Sequence, residues 1–203
     1  MEQLDDIILK AREYVENNLP VSRPKDVYLT HVSLVYDYAV FLGSIYEADL
    51  QVLKLAALLH DIGADAGDVH ADKSKELASD FLHSYSIPEE KLDKILYSIQ
   101  HHQMNHNPAK YIKTVDLETT LLRDADALAF LHDTYIGFFV VRAVKYGFEK
   151  AKKITYEKID GMLDKITTPE AKAYAHLLLN KAIEWLDLLS PSVYMDYRKK
   201  YGL

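Results

Sequence analysis

The stretch Leu55-Ala56-Ala57-Leu58-Leu59-His60-Asp61-Ile62-Gly63 constrains this chain more than any other. A strongly apolar helical run ends on two titratable residues side by side, and a glycine follows at once. A buried helix rarely stops on such a pair without a partner, because an unpaired polar or charged group is costly to bury. A divalent cation supplies that partner, since imidazole nitrogen and carboxylate oxygen suit iron, manganese, zinc or magnesium. Adjacent residues near a helix end can both reach one ion, and Gly63 gives the chain its exit from the helix. The rest of the chain also reads as helical. Only 7 Gly and 6 Pro occur among 203 residues, which favours long helices with short connections. No strand alternation of any length appears, and no internal repeat.

Composition narrows the function classes. Hydrophobic residues make up 49% and charged residues 27%, an ordinary soluble globular balance. The net charge of −7 speaks against a chain-wide nucleic-acid footprint, so no nucleic-acid partner is expected. The lack of Cys excludes disulfides, thiolate chemistry and cysteine-ligated zinc. No apolar run reaches 18 residues, and Met1 to Lys10 is acidic and amphipathic, unlike a signal peptide. No membrane partner is expected, and the cytoplasm is the default compartment. Histidine is the unusual component: 9 occur, several of them between positions 60 and 106.

Periodicity places the helices. Glu2 to Asn18 is amphipathic through Leu4, Ile7, Ile8, Ala11 and Val15, and Pro20 to Asp26 is a loop. Tyr28 to Tyr46 carries the stripe His31, Leu34, Val35, Tyr38, Phe41 and Leu42, with His31 on the inward face. A lone histidine there is more often a satisfied core residue than a ligand. Glu47 to His60 ends on the His-Asp pair. Ala64 to Val69 is a loop, and His70 opens a helix to about Ser84. Pro88-Glu89-Glu90 suits a helix first turn, and Leu92, Ile95, Leu96 and Ile99 run into His101-His102. Gln103 to Asp116 is a loop. Leu117 to Gly147 gives the longest helical signal, interrupted only at Gly137, with Asp124 and Asp126 inside its apolar early part. Ala151 to Leu203 adds two or three helices broken at Pro169 and Pro191, with no chemistry in them. Tyr194, Tyr197 and Tyr201 there serve packing or a homodimer contact. The chain reads as one all-α domain over 1–203, a motif-bearing core of about 28–147 and a helical extension of about 150–203.

Three separate helices therefore each present a metal-competent side chain from an apolar face: His31, then His60-Asp61, then Asp124 or Asp126. This spaced set resembles the HD superfamily of metal-dependent phosphohydrolases, over roughly His31 to Gly147. His60-Asp61-Ile62-Gly63 is similar to the family's HD-I-G variant. His70-Ala71-Asp72-Lys73-Ser74, with Ala78 and Leu82, resembles the helix that follows it in many members. Asp124-Ala125-Asp126-Ala127-Leu128, then Gly137 and Arg142, is similar to a stretch of the small bacterial and archaeal HD hydrolases. The resemblance implies an HD-like helical bundle in which His31, His60, Asp61 and Asp126 hold a first metal. Asp126 is preferred to Asp124 because the family's ligand is the Asp of its Ala-Asp-x-Leu element. Asp124 would then orient a ligand histidine or pair with Arg123. In two-metal members further histidines join, and His70, His101 and His102 stand at the matching places, with Asp61 bridging. The resemblance thus implies one or two divalent ions, Fe, Mn, Zn, Mg, Ni or Co. His83, His106, His132 and His176 match nothing and are left as ordinary histidines.

The resemblance also implies hydrolysis of a small phosphate ester or nucleotide by metal-activated water. Asp61, Asp65 and Arg142 are the candidate catalytic groups. Arg142 is the candidate cation for the phosphoryl oxygens, since a planar guanidinium binds phosphate bidentately; the alternative is a surface charge on a long helix. The Glu-Asp pair of the stringent-response hydrolases is Ala64-Asp65 here, which counts against alarmone hydrolysis. It leaves Asp65 as an acid or water-positioning group. The Gly-Tyr-Pro element of cyclic-dinucleotide phosphodiesterases is absent after His101-His102. Two other readings stay open: a diiron HD-type oxygenase, whose ligands the same histidines satisfy, and a non-catalytic metal-binding regulatory module.

Overall fold

Helix α3 (Leu50–Leu59) is the axis around which the others pack. The structure, a computed structural model, describes residues 4–103 and 115–203; His106 lies outside the described residues. Asp49 starts α3, its carboxylate accepting the N–H groups of Gln51 and Val52 that a helix start leaves open. Glu118 holds the same turn by accepting the Asp49 N–H at 3.1 Å. Glu47, expected inside this helix, has a φ of 52° and lies before it. Leu55 to Leu59 are all buried, and a helix that is apolar all round must be enclosed. Its neighbours are α1 (Leu4–Asn17), α2 (Lys25–Ile45), α5 (Glu89–His101) and α6 (Leu117–Ala129). Helix α2 lies along α6, and α4 (His70–Leu82) pairs with α5. Each leucine fully buried in this arrangement is worth about 1.5–3 kcal/mol of transfer free energy.

Two connections differ from expectation. The segment Ala64–Val69 winds as a 3-10 helix instead of an irregular loop. Gly63 ahead of it has an ordinary backbone, φ −92°, so helix exit does not explain the glycine. Close approach does: a Cβ at Gly63 would lie 2.6 Å from the backbone nitrogen of Ser74 on α4. The Gly63 N–H donates to Ser74 Oγ at 3.0 Å across that gap. Farther on, the long run after Leu117 is interrupted at a π-helical turn, Phe130–Thr134, and not at Gly137. Gly137 stays helical inside α7 (Tyr135–Tyr146), where a Cβ would meet Val27 of α2 at 2.6 Å.

Leu117–Tyr146 is long and apolar enough to cross a membrane by length and composition. Within the fold 56% of its most apolar window is buried, as in a core helix. The C-terminal part adds α8 (Phe148–Lys165), α9 (Pro169–Leu188) and α10 (Pro191–Lys200). Pro169 and Pro191 stand at the first helical positions, where a missing N–H costs nothing. The C-terminal tyrosines pack internally: the Tyr194 ring lies 5.8 Å from Phe139, and the Tyr197 ring 5.5 Å from Trp185. One apolar cluster runs from Ile7 to Tyr194. The fold is all-α, with no strand among the described residues.

Candidate metal centre

The ends and inner faces of five helices meet below α3. His31 comes from α2, His60 and Asp61 from the end of α3, His70 from the start of α4, His102 from the end of α5, and Asp126 from α6. His31 Nε2 stands 3.3 Å from His60 Nε2 and 3.3 Å from Asp126 Oδ1. Asp61 Oδ2 lies 3.7 Å from His31 Nε2 and 3.9 Å from His60 Nε2. The other oxygen, Asp61 Oδ1, lies 3.3 Å from His70 Nε2 and 3.7 Å from His102 Nε2, and those nitrogens are 3.3 Å apart. One carboxylate is thus shared by two donor clusters. Donors on one ion at about 2.1 Å stand roughly 3.0–3.4 Å apart for octahedral or tetrahedral angles. The tightest spacings here fall in that range.

The backbone sets the histidine tautomers. A carbonyl oxygen can only accept, so His60 Nδ1 donates to Ala57 O at 2.8 Å, His70 Nδ1 to Gly67 O at 2.8 Å, and His102 Nδ1 to Ile99 O at 2.6 Å. Thr134 spends its hydroxyl proton on Ala129 O, so its oxygen accepts from His31 Nδ1 at 3.4 Å. All four Nε2 atoms therefore carry lone pairs, and they face one another in two pairs. Opposed lone pairs in a buried site repel unless a cation lies between them. The donor set fits a divalent metal on this ground. Tyr28 Oη, one turn ahead of His31, is also buried without a partner, and burial and the Asp61 charge push its pKa up.

Electrostatics keep His60, His70, Asp61 and Asp126 in their ligating forms. Burial lowers the His60 pKa to about 3 against the pull of Asp61, and it lowers His70 as well. Burial works to raise Asp61, but the Arg23 guanidinium holds it well below the usual carboxylate range. Burial likewise opposes ionisation of Asp126, which the Lys165 ammonium holds well below that range. Neutral imidazoles and ionised carboxylates are the forms a metal needs.

Several expected site residues stand elsewhere. His101 turns away from the cluster, its ring 4.3 Å from that of Tyr97. Successive helical residues point about 100° apart, and of this pair it is His102, 2% exposed, that faces inward. Asp124 is engaged away from the cluster. Its oxygens accept from the N–H groups and hydroxyls of Thr167 and Thr168, tying α6 to the start of α9. Arg142 lies with its guanidinium 4.9 Å from the Phe138 ring centroid. Among the described residues, no contact joins it to Asp61 or Asp126. Asp65 is an anchor: Oδ2 accepts the Val21 N–H at 2.8 Å and Oδ1 the Ser22 N–H at 2.9 Å. Both its oxygens are engaged in holding the turn before α2.

That turn carries a residue the sequence reading passed over. Arg23 Nη1 donates to Asp61 Oδ2 at 2.7 Å. A second is Lys165, whose ammonium pairs with Asp126 Oδ2; the C-terminal extension is not free of chemistry. Lys165 carried a legible signal, since it falls in the series Ala151, Thr155, Met162 at helical spacing on the buried face of α8. A lysine at such a position needs a buried partner. Arg23, in a loop between two prolines, has no such signal.

The HD domain family model matches residues 28–131, just over half of the chain. No curated protein matches it. Among solved structures, the chain is similar to Bacillus subtilis YpgQ at 20% identity and a TM-score of 0.70, covering 91% of this chain and 95% of that one. It is similar to YpgQ in complex with ADP at 22% identity and a TM-score of 0.66, covering 91% and 94%. An HD-superfamily hydrolase from Bacillus thuringiensis follows at 20% identity and a TM-score of 0.62, covering 91% and 93%. At these identities the likeness shows a common fold, that of HD-superfamily hydrolases. The family match falls on the helices that bring the His-Asp pair and its partners together, and the chain belongs to the HD domain family.

Proposed function

We propose that the protein is a metal-dependent phosphohydrolase acting on a small phosphorylated metabolite, a nucleotide foremost. The observation that carries this reading is the shared Asp61 carboxylate, with one oxygen toward each of two neutral-histidine clusters. His31, His60, Asp61 and Asp126 would hold one divalent ion, and His70, His102 and Asp61 a second. A bound ion supplies water acidified toward neutrality and positive charge against phosphoryl oxygens. The chain's own part is orientation. The carbonyls of Ala57, Gly67 and Ile99 fix three imidazole rings through Nδ1 and leave Nε2 for ligation. Asp65 holds the turn that sets Arg23 on Asp61. The ADP complex of YpgQ, which shares the fold, supports a nucleotide as substrate.

A diiron oxygenase would use the same donors. The cations on both aspartates favour an anionic, phosphate-bearing substrate. The test is elemental analysis of the purified protein, followed by phosphate release from nucleoside mono-, di- and triphosphates with Mn, Zn, Fe, Co, Ni and Mg, in air and without oxygen. Oxygen-independent phosphate release is expected. Turnover that strictly requires oxygen, or no phosphate release with any ion, would overturn the reading.

A further inference from the structure

Two cations reach the centre from outside residues 28–131, the stretch that the family model matches, and a third shares a helix face with one of them. Arg23 precedes it, and about a third of its side chain, 34%, stays exposed. Its Nη1 is engaged on Asp61, and among the described residues its other guanidinium donors have no hydrogen-bond partner, which leaves them for a ligand. Lys165, at the end of α8, is 7% exposed in its side chain and holds the outer oxygen of Asp126, while the inner oxygen faces His31. Lys158 stands seven residues earlier on the same helix. Seven residues are nearly two full turns, so both lysines project from one face, about 10.5 Å apart along the axis. Lys158 Nζ lies 5.9 Å from the centroid of the Phe130 ring, and Phe130 follows Asp126 by one helical turn.

Lys158 has no ion-pair partner among the described residues and is exposed. Its place on the face of α8 that carries Lys165, and over Phe130, sets it on the Asp126 side of the centre. Arg23 and Lys165 balance the two carboxylates, and Lys158 adds a further positive charge on the same face of α8 before any divalent ion contributes. A positive cleft that still has unengaged donors suits an anion with several oxygens.

We propose that Lys158 and Lys165, with Arg23, form an anion seat that receives the phosphoryl oxygens of the substrate beside the metal centre. The seat rests on the phosphohydrolase reading for the identity of its ligand, but its binding can be measured without turnover. The two lysines act as point charges on flexible stems, and Arg23 adds a planar fork. The reach of the seat along the substrate is then set by α8, a helix the family match does not include.

The test uses the full-length, manganese-loaded protein with inorganic phosphate and ADP as probes, titrated calorimetrically at two salt concentrations. Metal content is counted on every sample. Lys158→Gln changes an exposed side chain and leaves the fold and metal content as in the parent. Its ADP affinity should fall about tenfold, the size of one lost charge-assisted hydrogen bond, with a shallower salt dependence. Lys165→Gln should lose at least as much per metal-loaded site, and Lys165→Arg should recover most of it. Unchanged ADP and phosphate affinity in Lys158→Gln and Lys165→Gln overturns the seat. So does a loss of affinity in Lys165→Gln that metal loss fully accounts for, because Lys165 would then only hold Asp126. If the parent hydrolyses no phosphate ester yet the variants lose ADP affinity, the seat stands and the hydrolase reading fails. If it hydrolyses and the variants bind normally, the reverse holds.

Discussion

The two donor clusters that share Asp61 use the same chemistry but are built differently. His31, His60 and Asp126 sit within or at the end of α2, α3 and α6, which pack against one another, and they are 5%, 0% and 8% exposed. His70 and His102 stand at element ends: one opens α4 just after Gly67, whose φ is 63°, and the other closes α5. The first cluster is held in place by the core. The second is held by the short Nδ1 bonds to Gly67 and Ile99 and by the Ser74–Gly63 contact. The His70 side chain keeps 17% of its surface open. The difference teaches that one donor cluster is preformed by packing, whereas the other depends on a 3-10 segment with few packed neighbours and is the one to open first.

The largest effect should come from removing what the clusters share. Asp61→Ala should strip both ions and lower phosphate release by roughly a thousandfold or more, since water activation goes with them; metal counting and steady-state assays check this. A variant that kept one full ion would show that Asp61 belongs to a single cluster.

His60→Ala and His102→Ala separate the clusters. The first should leave less than one ion per chain and almost no activity. The second should retain about one ion and lose roughly 10–100-fold in activity. Equal stoichiometries in the two variants would erase the proposed asymmetry.

Metal loading should stabilise the parent by about 2.7 kcal/mol at a free concentration one hundred times Kd. For a chain of this size that is a Tm rise of roughly 5–10 °C. His102→Ala should keep most of the rise in calorimetric scans and His60→Ala should not.

Acid should strike the packed cluster of the metal-free protein. His60 is buried with its pKa at about 3, below its ordinary value of 6.5. Between those values the unfolded chain binds the proton and the native chain does not. Stability is thus fully present above about pH 6.5 and falls as pH drops, by up to about 1.4 kcal/mol per pH unit from this residue. Asp61 and Asp126, held low when folded, add losses in the same direction at the acid end. Chemical denaturation from pH 7 to 4 reads the slope, and His60→Gln should flatten it.

The smallest effect is expected of His101→Ala. It should leave the metal count unchanged and shift stability by no more than about 0.5 kcal/mol. A lost ion would return His101 to the site.

How far the site was legible differs residue by residue. His31, His60 and Asp126 interrupt helical apolar stripes, and a polar group at a core position announces a partner whatever the fold. The His-Asp pair at the end of the apolar run Leu55 to Leu59 did the same for Asp61. Lys165 gave that signal too, on the buried face of α8, although it reads at first as an ordinary helix-end charge. Asp124 gave it as well, but its partners, Thr167 and Thr168, lie more than forty residues away, and nothing local distinguishes a tie between helices from a ligand's support.

The sequence by itself determined the all-α class, the order of the helices and the core-facing positions that carry imidazole and carboxylate. Those depend on periodicity, and periodicity is local. Only the tertiary structure decided that His102 and not His101 turns inward, that Asp65 ties down a turn, and that Arg23 and Lys165 reach the aspartates. Each depends on side-chain direction and on which distant segments meet, and a rotation of about 100° per residue exchanges a ligand for a surface group without altering the pattern.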